Sequence, residues 1–212
     1  IFDISNGFND AANAIATVIS TRVLTPVQAV LLAAVMNFAG AISGTAVAKT
    51  VGSGFVDPTT VTLYTVLAAV TAAAAWIFVA SRFGLPVSGS HSLISGIIGA
   101  AVATGGWGSL LPAGIINKIA IPLAIVPFAG FAGGFVFMLA IFWLFRRWSP
   151  STVNSLFSKL SLLSASALAF SHGSNDAQKA MGIIALALFV HLDRSELVVD
   201  WWVIILAATA MS

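Results

Sequence analysis

The chain has 212 residues, of which 59% are apolar and only 8% charged, with a net charge of +2 and no cysteine. Soluble domains carry about 25% charged residues, so a soluble fold this poor in charge could not cover its own surface, and the solvent for most of the chain is lipid. The scattered basic residues make no stripe that would track nucleic acid, and the lack of thiols excludes disulfides and thiolate metal sites.

A membrane-crossing helix needs roughly 20 apolar residues, and candidates follow one another along the chain. Residues 1–20 are apolar but hold GFNDAANAIAT, Gly7 to Thr17. An ionisable group at membrane depth costs at least about 2.5–3.5 kcal/mol, so Asp10 must be paired, protonated or bound to a cation. Its nearest basic residue, Arg22, is about three turns away. Asn6, Asn9, Asn13 and Thr17 fall on or beside the same helix face. A carboxylate among amide oxygens is a hard-oxygen ligand set suited to Na⁺.

Residues 26–48 and 59–81 are uncharged runs. Residues 83–117 are also uncharged but are interrupted by Gly84, Pro86 and the cluster Gly105, Gly106, Trp107 and Gly108. Within them, Leu85 to Ser92 reads LPVSGSHS. Pro86 and Gly89 break the helix there, and Ser88 or Ser90 can cap a new one. A broken helix aims backbone N–H groups and a positive dipole end at an anion, with Ser88, Ser90 and Ser92 as hydroxyl donors. His91 adds a donor whose charge changes near neutral pH. This segment either crosses the membrane or re-enters as a hairpin.

Residues 119–145 are a further clean run, bent by Pro122 and Pro127. Residues 160–190 hold GSNDAQKAMGI, Gly173 to Ile183, and residues 201–212 begin a last span. Here Ser171, Asn175, Asp176 and Gln178 form a polar stripe, with Lys179 placed to pair with Asp176. His172 is either a site residue or a packing donor, and His191 sits in a polar connection. Gly40, Gly44, Gly96 and Gly99 are expected where helices touch, and the Trp residues at the interfaces.

These runs are too long for barrel strands, which alternate over about ten residues. The expected fold is all-α: a polytopic transmembrane helical bundle with a broken or re-entrant helix at Leu85 to Ser92. Gly7/Gly173, Asn9/Asn175, Asp10/Asp176, Ala11/Ala177 and Ala14/Ala180 coincide between the two motifs. If each candidate crosses once, the copies lie on the first and sixth spans, five crossings apart, and run in opposite directions. Inverted-topology repeats of this kind carry midplane sites in secondary transporters. The expected units are residues 1–147 as the first repeat, 148–159 as a cytoplasmic connection and 160–212 as an incomplete second repeat. A lone buried Asp can simply hydrogen-bond a neighbouring helix, and a Ser-rich turn can simply start a span. The repeated Asn-Asp pair is what favours a site.

The connections holding Arg22, Arg82, Arg146, Arg147 and Lys159 share one side. Lys49, Lys118 and Arg194 on the other are offset by Asp57, Asp193, Glu196 and Asp200. The basic side is expected to be cytoplasmic, which places the N-terminus outside. The chain opens without Met and ends inside an apolar run, as expected for a piece of a longer protein.

GFNDAANAIAT resembles the first signature of the inorganic phosphate transporter (PiT) family, SHGSNDAQKAMG the second, and LPVSGSHS the family's Pro-Val-Ser…His element. The resemblance covers nearly the whole chain in the right order. It implies an integral membrane protein of the plasma (inner) membrane, a homodimer, and symport of inorganic phosphate with Na⁺ or H⁺ and no cofactor. By motif match, Asn9, Asp10, Asn13, Asn175 and Asp176 would bind cations, with Asp10 and Asp176 the Na⁺ ligands. Ser88, Ser90, His91, Ser92 and Gln178 would bind phosphate. The family carries a second Pro-Val-Ser element after the second signature, and this chain stops before it.

Rival readings are a sulfate or metal–phosphate permease of the same fold, a passive channel, and an intramembrane aspartyl hydrolase whose two Asp share a proton. The hydrolase leaves the amide-rich repeat and the LPVSGSHS element without a job. A Ser90–His91 hydrolase is weaker still, because adjacent helical residues point apart. The chain is expected not to be an enzyme.

Overall fold

The computed structural model describes residues 2–85 and 87–212, and the side chains of residues 5, 8–11 and 52–53 lie outside that description. The helices are α1 (Phe2–Ser20), α2 (Pro26–Ala41), α3 (Ala46–Ser53), α4 (Leu63–Arg82), α5 (Gly89–Gly105), α6 (Pro112–Ile115), α7 (Ile121–Phe145), α8 (Pro150–His191) and α9 (Trp201–Met211). Among the described residues, extended pairing is confined to a bridge between Val56 and Leu110. Leu63–Arg82, Pro112–Phe145 and Pro150–His191 are long and apolar enough to cross a membrane, and Pro26–Ala41 and Trp201–Met211 are shorter apolar helices. The expected all-α transmembrane bundle is therefore what forms.

Helix starts follow local chemistry. Thr25 and Gln28 exchange side-chain and backbone hydrogen bonds at the start of α2, a capping box with Pro26 in its first turn. Thr62 and Thr65 do the same for α4.

Two expected boundaries are corrected. Residues 26–48 do not form one helix. The chain leaves α2 after Ala41, Ser43 Oγ turns back to donate to the Gly40 carbonyl at 2.6 Å, and α3 starts afresh at Ala46. The following helix begins at Pro112, not at residue 119, and runs through a π-helical turn over Ile116–Ala120 into α7. Pro122, just inside α7, would clash with the carbonyl of Lys118 in a regular helix, and a π turn widens the helix at that point.

α8 is the spine. Its 42 residues extend about 63 Å, twice the roughly 30 Å of a hydrocarbon core. The connection expected at 148–159 is helical from Pro150 onward, with the Ser149 hydroxyl accepting the Thr152 N–H as its cap.

α2 and α3 run parallel to α8. Ala29 and Ala33 cluster with Ala165 and Ala169, Ser43 Oγ meets Ser174 Oγ at 3.4 Å, and Val47 reaches Gln178. α1 runs antiparallel to α8: Asn6 bonds Asp176, while Ala14, Ile15 and Val18 pack against Ala165 and Ala169. α4 and α5 form a hairpin around Ile77, Leu93 and Ile97, closed at its far end by Thr65 and Thr104 hydroxyls 3.0 Å apart. α9 packs on α8 and α2 through Ala207, Ala208 and Met181, and on α1, where Met211 lies against Gly7. No residue of α7 is buried.

The expectation that glycines mark helix contacts holds at Gly40, where a Cβ would run into the Phe170 carbonyl of α8, and at Gly96, where it would meet the Ala69 carbonyl of α4. It fails at Gly99, which faces open space.

Candidate functional site

The antiparallel crossing of α1 and α8 and the start of α5 enclose a cavity of about 320 Å³, lined by Asn13, Ala14, Ser88, Leu168, His172 and Asp176. Three separate stretches of sequence thus meet there: the first Asn-Asp motif, the Pro-Val-Ser element and the second Asn-Asp motif.

Asp176 is the charged centre, with 8% of its surface exposed. Its Oδ2 accepts from Asn6 Nδ2 at 2.9 Å, and its Oδ1 is 2.5 Å from Lys179 Nζ. The His172 Nε2 lies 3.8 Å from Oδ2. The other ring nitrogen of His172 meets Asn37 Oδ1 on α2 at 3.2 Å. Lys179 Nζ also donates to Ser90 Oγ in the first turn of α5, so it ties α8 to α5. Gly89 lacks the Cβ that would collide with the Asn6 amide, which lets α1 close on the start of α5. The Asp3 Oδ1 and Asn6 Oδ1 atoms are buried on α1 without a hydrogen-bond partner.

α5 begins at an extended Ser88, whose hydroxyl accepts the His91 N–H at 3.3 Å. Ser88 therefore caps the broken helix and lines the cavity at once. The N–H groups of this first turn form a positive dipole end beside the cavity. One wall supplies carboxylate and amide oxygens, the other a helix start, and together they suit a cation and an oxyanion held close.

The structure does not bring every expected site residue to this place. Asn9 and Asp10 have side chains outside the description, so their roles fall beyond what the geometry addresses. Asn13, Ser88 and Asp176 line the cavity, and Ser90 meets Lys179. Asn175 is exposed and bonds back to the Ser171 carbonyl at 2.8 Å. Gln178 is buried, its Oε1 accepting the Val47 N–H at 2.9 Å at the start of α3. Ser92 Oγ turns back on the Ser88 carbonyl at 2.8 Å. His91 is exposed, in a neighbouring hollow with Ala72, Trp76 and Ser95.

Among the described residues, no three His, Cys, Asp or Glu side chains cluster as metal ligands. Asp3 and Asn37 were missed by sequence reasoning. Asp3 lies one turn before Asn6 on the α1 face that carries the motif. Asn37 is an amide inside an otherwise uncharged span. Either position is a usable signal. Away from the membrane, the Thr59 hydroxyl and N–H hold the Asp57 carboxyl below its usual range.

The chain is similar to known proteins both in sequence and in fold. The model of the phosphate transporter family matches residues 6–212. A protein of Rhizobium meliloti (strain 1021) named "Probable low-affinity inorganic phosphate transporter" is 44% identical over all of this chain and 64% of its own length. A protein of the same name from Bacillus subtilis (strain 168) is 42% identical over 99% of this chain and 64% of its own length. The chain thus spans under two thirds of these relatives. A solved structure described as "The sodium-dependent phosphate transporter" superposes with a TM-score of 0.82 at 22% identity, covering 99% of this chain and 71% of that one, so the fold is shared.

Proposed function

The chain belongs to the phosphate transporter family, and from that membership we propose that its full-length form carries inorganic phosphate across the membrane by cation-coupled secondary transport. The family is one of transporters, which removes the hydrolase readings. The observation that carries the proposal is the 320 Å³ cavity in which Asp176, Asn13 and the Ser88-capped start of α5 face one another.

Phosphate is an anion that cannot leave water uncompensated. Positive charge held against the carboxylates of α1 and α8, with at least one coupling cation taken from solution, would offset its charge, while the α5 start and its hydroxyls hold its oxygens. Phosphate affinity then depends on cation occupancy, which is coupling. The antiparallel course of α1 and α8 supports inverted repeats, residues 1–147 and 160–212 joined by 148–159, that rock against each other to alternate access. The transporter sits in the plasma membrane as a homodimer, with its N-terminus outside and Na⁺ or H⁺ as the coupling ion.

The test is uptake by proteoliposomes of the full-length protein, with Na⁺ and pH gradients varied separately and sulfate added as competitor. Asp10→Asn and Asp176→Asn are each expected to abolish concentrative phosphate uptake. Accumulation at the wild-type level in both variants would refute the cation role. Efficient competition by sulfate would move the substrate to another oxyanion.

A further inference from the structure

We infer that Lys179 is a tethered counter-cation, whose ammonium fills the second half-site with a charge that the first half-site must take from solution. The inference rests on the transport reading above and concerns how many exchangeable cations that site takes.

Two independent observations meet at this residue. The first is the register of the repeat: the alignment that pairs Gly7 with Gly173 and Asp10 with Asp176 pairs Asn13 with Lys179. The first copy carries a neutral amide where the second carries a cation. The second is the path of the side chain. A lysine in a membrane helix ordinarily extends toward the water interface. Lys179 is 13% exposed, and its Nζ bonds Asp176 Oδ1 and Ser90 Oγ. A carboxylate oxygen and a hydroxyl oxygen are the ligand types that a bound alkali cation would draw on, and here both serve an ammonium.

The surroundings explain why a cation has to be there. Asp176 receives one amide hydrogen from Asn6, which leaves its charge uncompensated without Lys179. Asp3, buried on α1, stands within electrostatic reach of both Asp176 and Lys179. The imidazole of His172, 3.8 Å from Asp176, faces the same carboxylate. Removing one member of a buried ion pair strands the other charge without compensation, so an Asp176 deprived of the ammonium must recruit a cation from solution. The two halves are then chemically unequal. Coupling ions load on the first half, and the second half holds its charge permanently, bridged to the start of α5.

The experiment uses the purified full-length protein with two readouts, thermal stability in detergent without phosphate, and phosphate uptake in proteoliposomes, each against Na⁺ and against pH. Lys179→Asn restores the residue of the first copy. Its stability is expected to rise with added Na⁺ or H⁺ beyond the wild-type response. Its uptake at low cation concentration is expected to fall roughly a hundredfold and recover as the cation is raised. Lys179→Arg keeps the charge and is expected to keep the wild-type cation response. The double variant Lys179→Asn/Asp176→Asn has no charge left to compensate and is expected to fold without the added dependence.

A Lys179→Asn protein that answers Na⁺ and H⁺ as the wild type does would overturn the inference. So would an added dependence that survives in the double variant. Failure of both to fold at every cation concentration would make Lys179 a packing residue and likewise overturn it. Wild-type protein that takes up no phosphate under either gradient would sink the transport reading alone, leaving the stability arm to decide Lys179.

Discussion

A buried amide has to find partners, and Gln178 finds one in the backbone of another helix. Its Oε1 accepts the Val47 N–H, one of the first-turn donors that a helix start leaves open. Gln178→Ala in the full-length protein is therefore expected to lower stability by about 1–2 kcal/mol, read as a drop in Tm in detergent, with the KM for phosphate unchanged. An unchanged Tm with a raised KM would instead make Gln178 a ligand. Its sequence position beside Asp176 suggested a ligand, but residues two apart on a helix point to different sides. Asn175, next to Asp176, points away for the same reason. Asp176, Asn13 and Ser88 were legible because the repeat and the Pro-Gly break mark them. Asp3 and Asn37 are weaker signals, because each is a polar residue in an apolar run but lies outside the repeated pattern, and it is the packing that shows both to be buried.

Between elements, close approach decides more than hydrophobicity. Lipid tails are as apolar as a helix face, so helices in a membrane associate through contact of small residues. At the α2–α8 crossing, a Cβ on Gly40 would run into the Phe170 carbonyl, and one on Gly173 into the Asn37 carbonyl. Gly173→Ala is expected to push α2 off α8 at a cost of about 1–3 kcal/mol. Because Asn37 orients His172 from α2, this change is also expected to disturb the cavity. Lower Tm together with weaker uptake would show both effects, and a Tm equal to wild type would mean that the crossing tolerates a methyl group. The spans themselves were legible in the hydropathy. The break between α2 and α3 was not, because Ser43, Gly44 and Thr45 sit among apolar neighbours and the turn is held by contacts with Ser174 and Gln178, far away in sequence.

For the whole molecule, the end-to-end pairing of helices bears on which connections share a side, a grouping that the order of the spans already suggested, whereas the inward faces of the helices were not legible in hydropathy. In water, an apolar stripe tells which face of a helix is inside. In lipid the outer face is apolar too, as Phe128, Phe131 and Phe142 illustrate on α7, none of whose residues is buried, so the stripe loses its meaning. The antiparallel contact of α1 with α8, with Val18 packed against Ala165 and Ala169, points the C-terminal end of α1 toward the N-terminal end of α8, and hence places Arg22 on the side of Arg146 and Arg147. Basic connections of this kind stay cytoplasmic. These 212 residues hold no cysteine, so single cysteines introduced among them report sidedness once any cysteine elsewhere in the full-length protein is replaced. Arg22→Cys and Arg147→Cys are expected to react with a membrane-impermeant maleimide only after cells are opened, and Thr59→Cys and Glu196→Cys in intact cells. The full reverse pattern would invert the proposed orientation while keeping the fold. Arg22→Cys and Arg147→Cys labelling from opposite sides would break the antiparallel pairing of α1 and α8, and with it the cavity that the transport proposal needs.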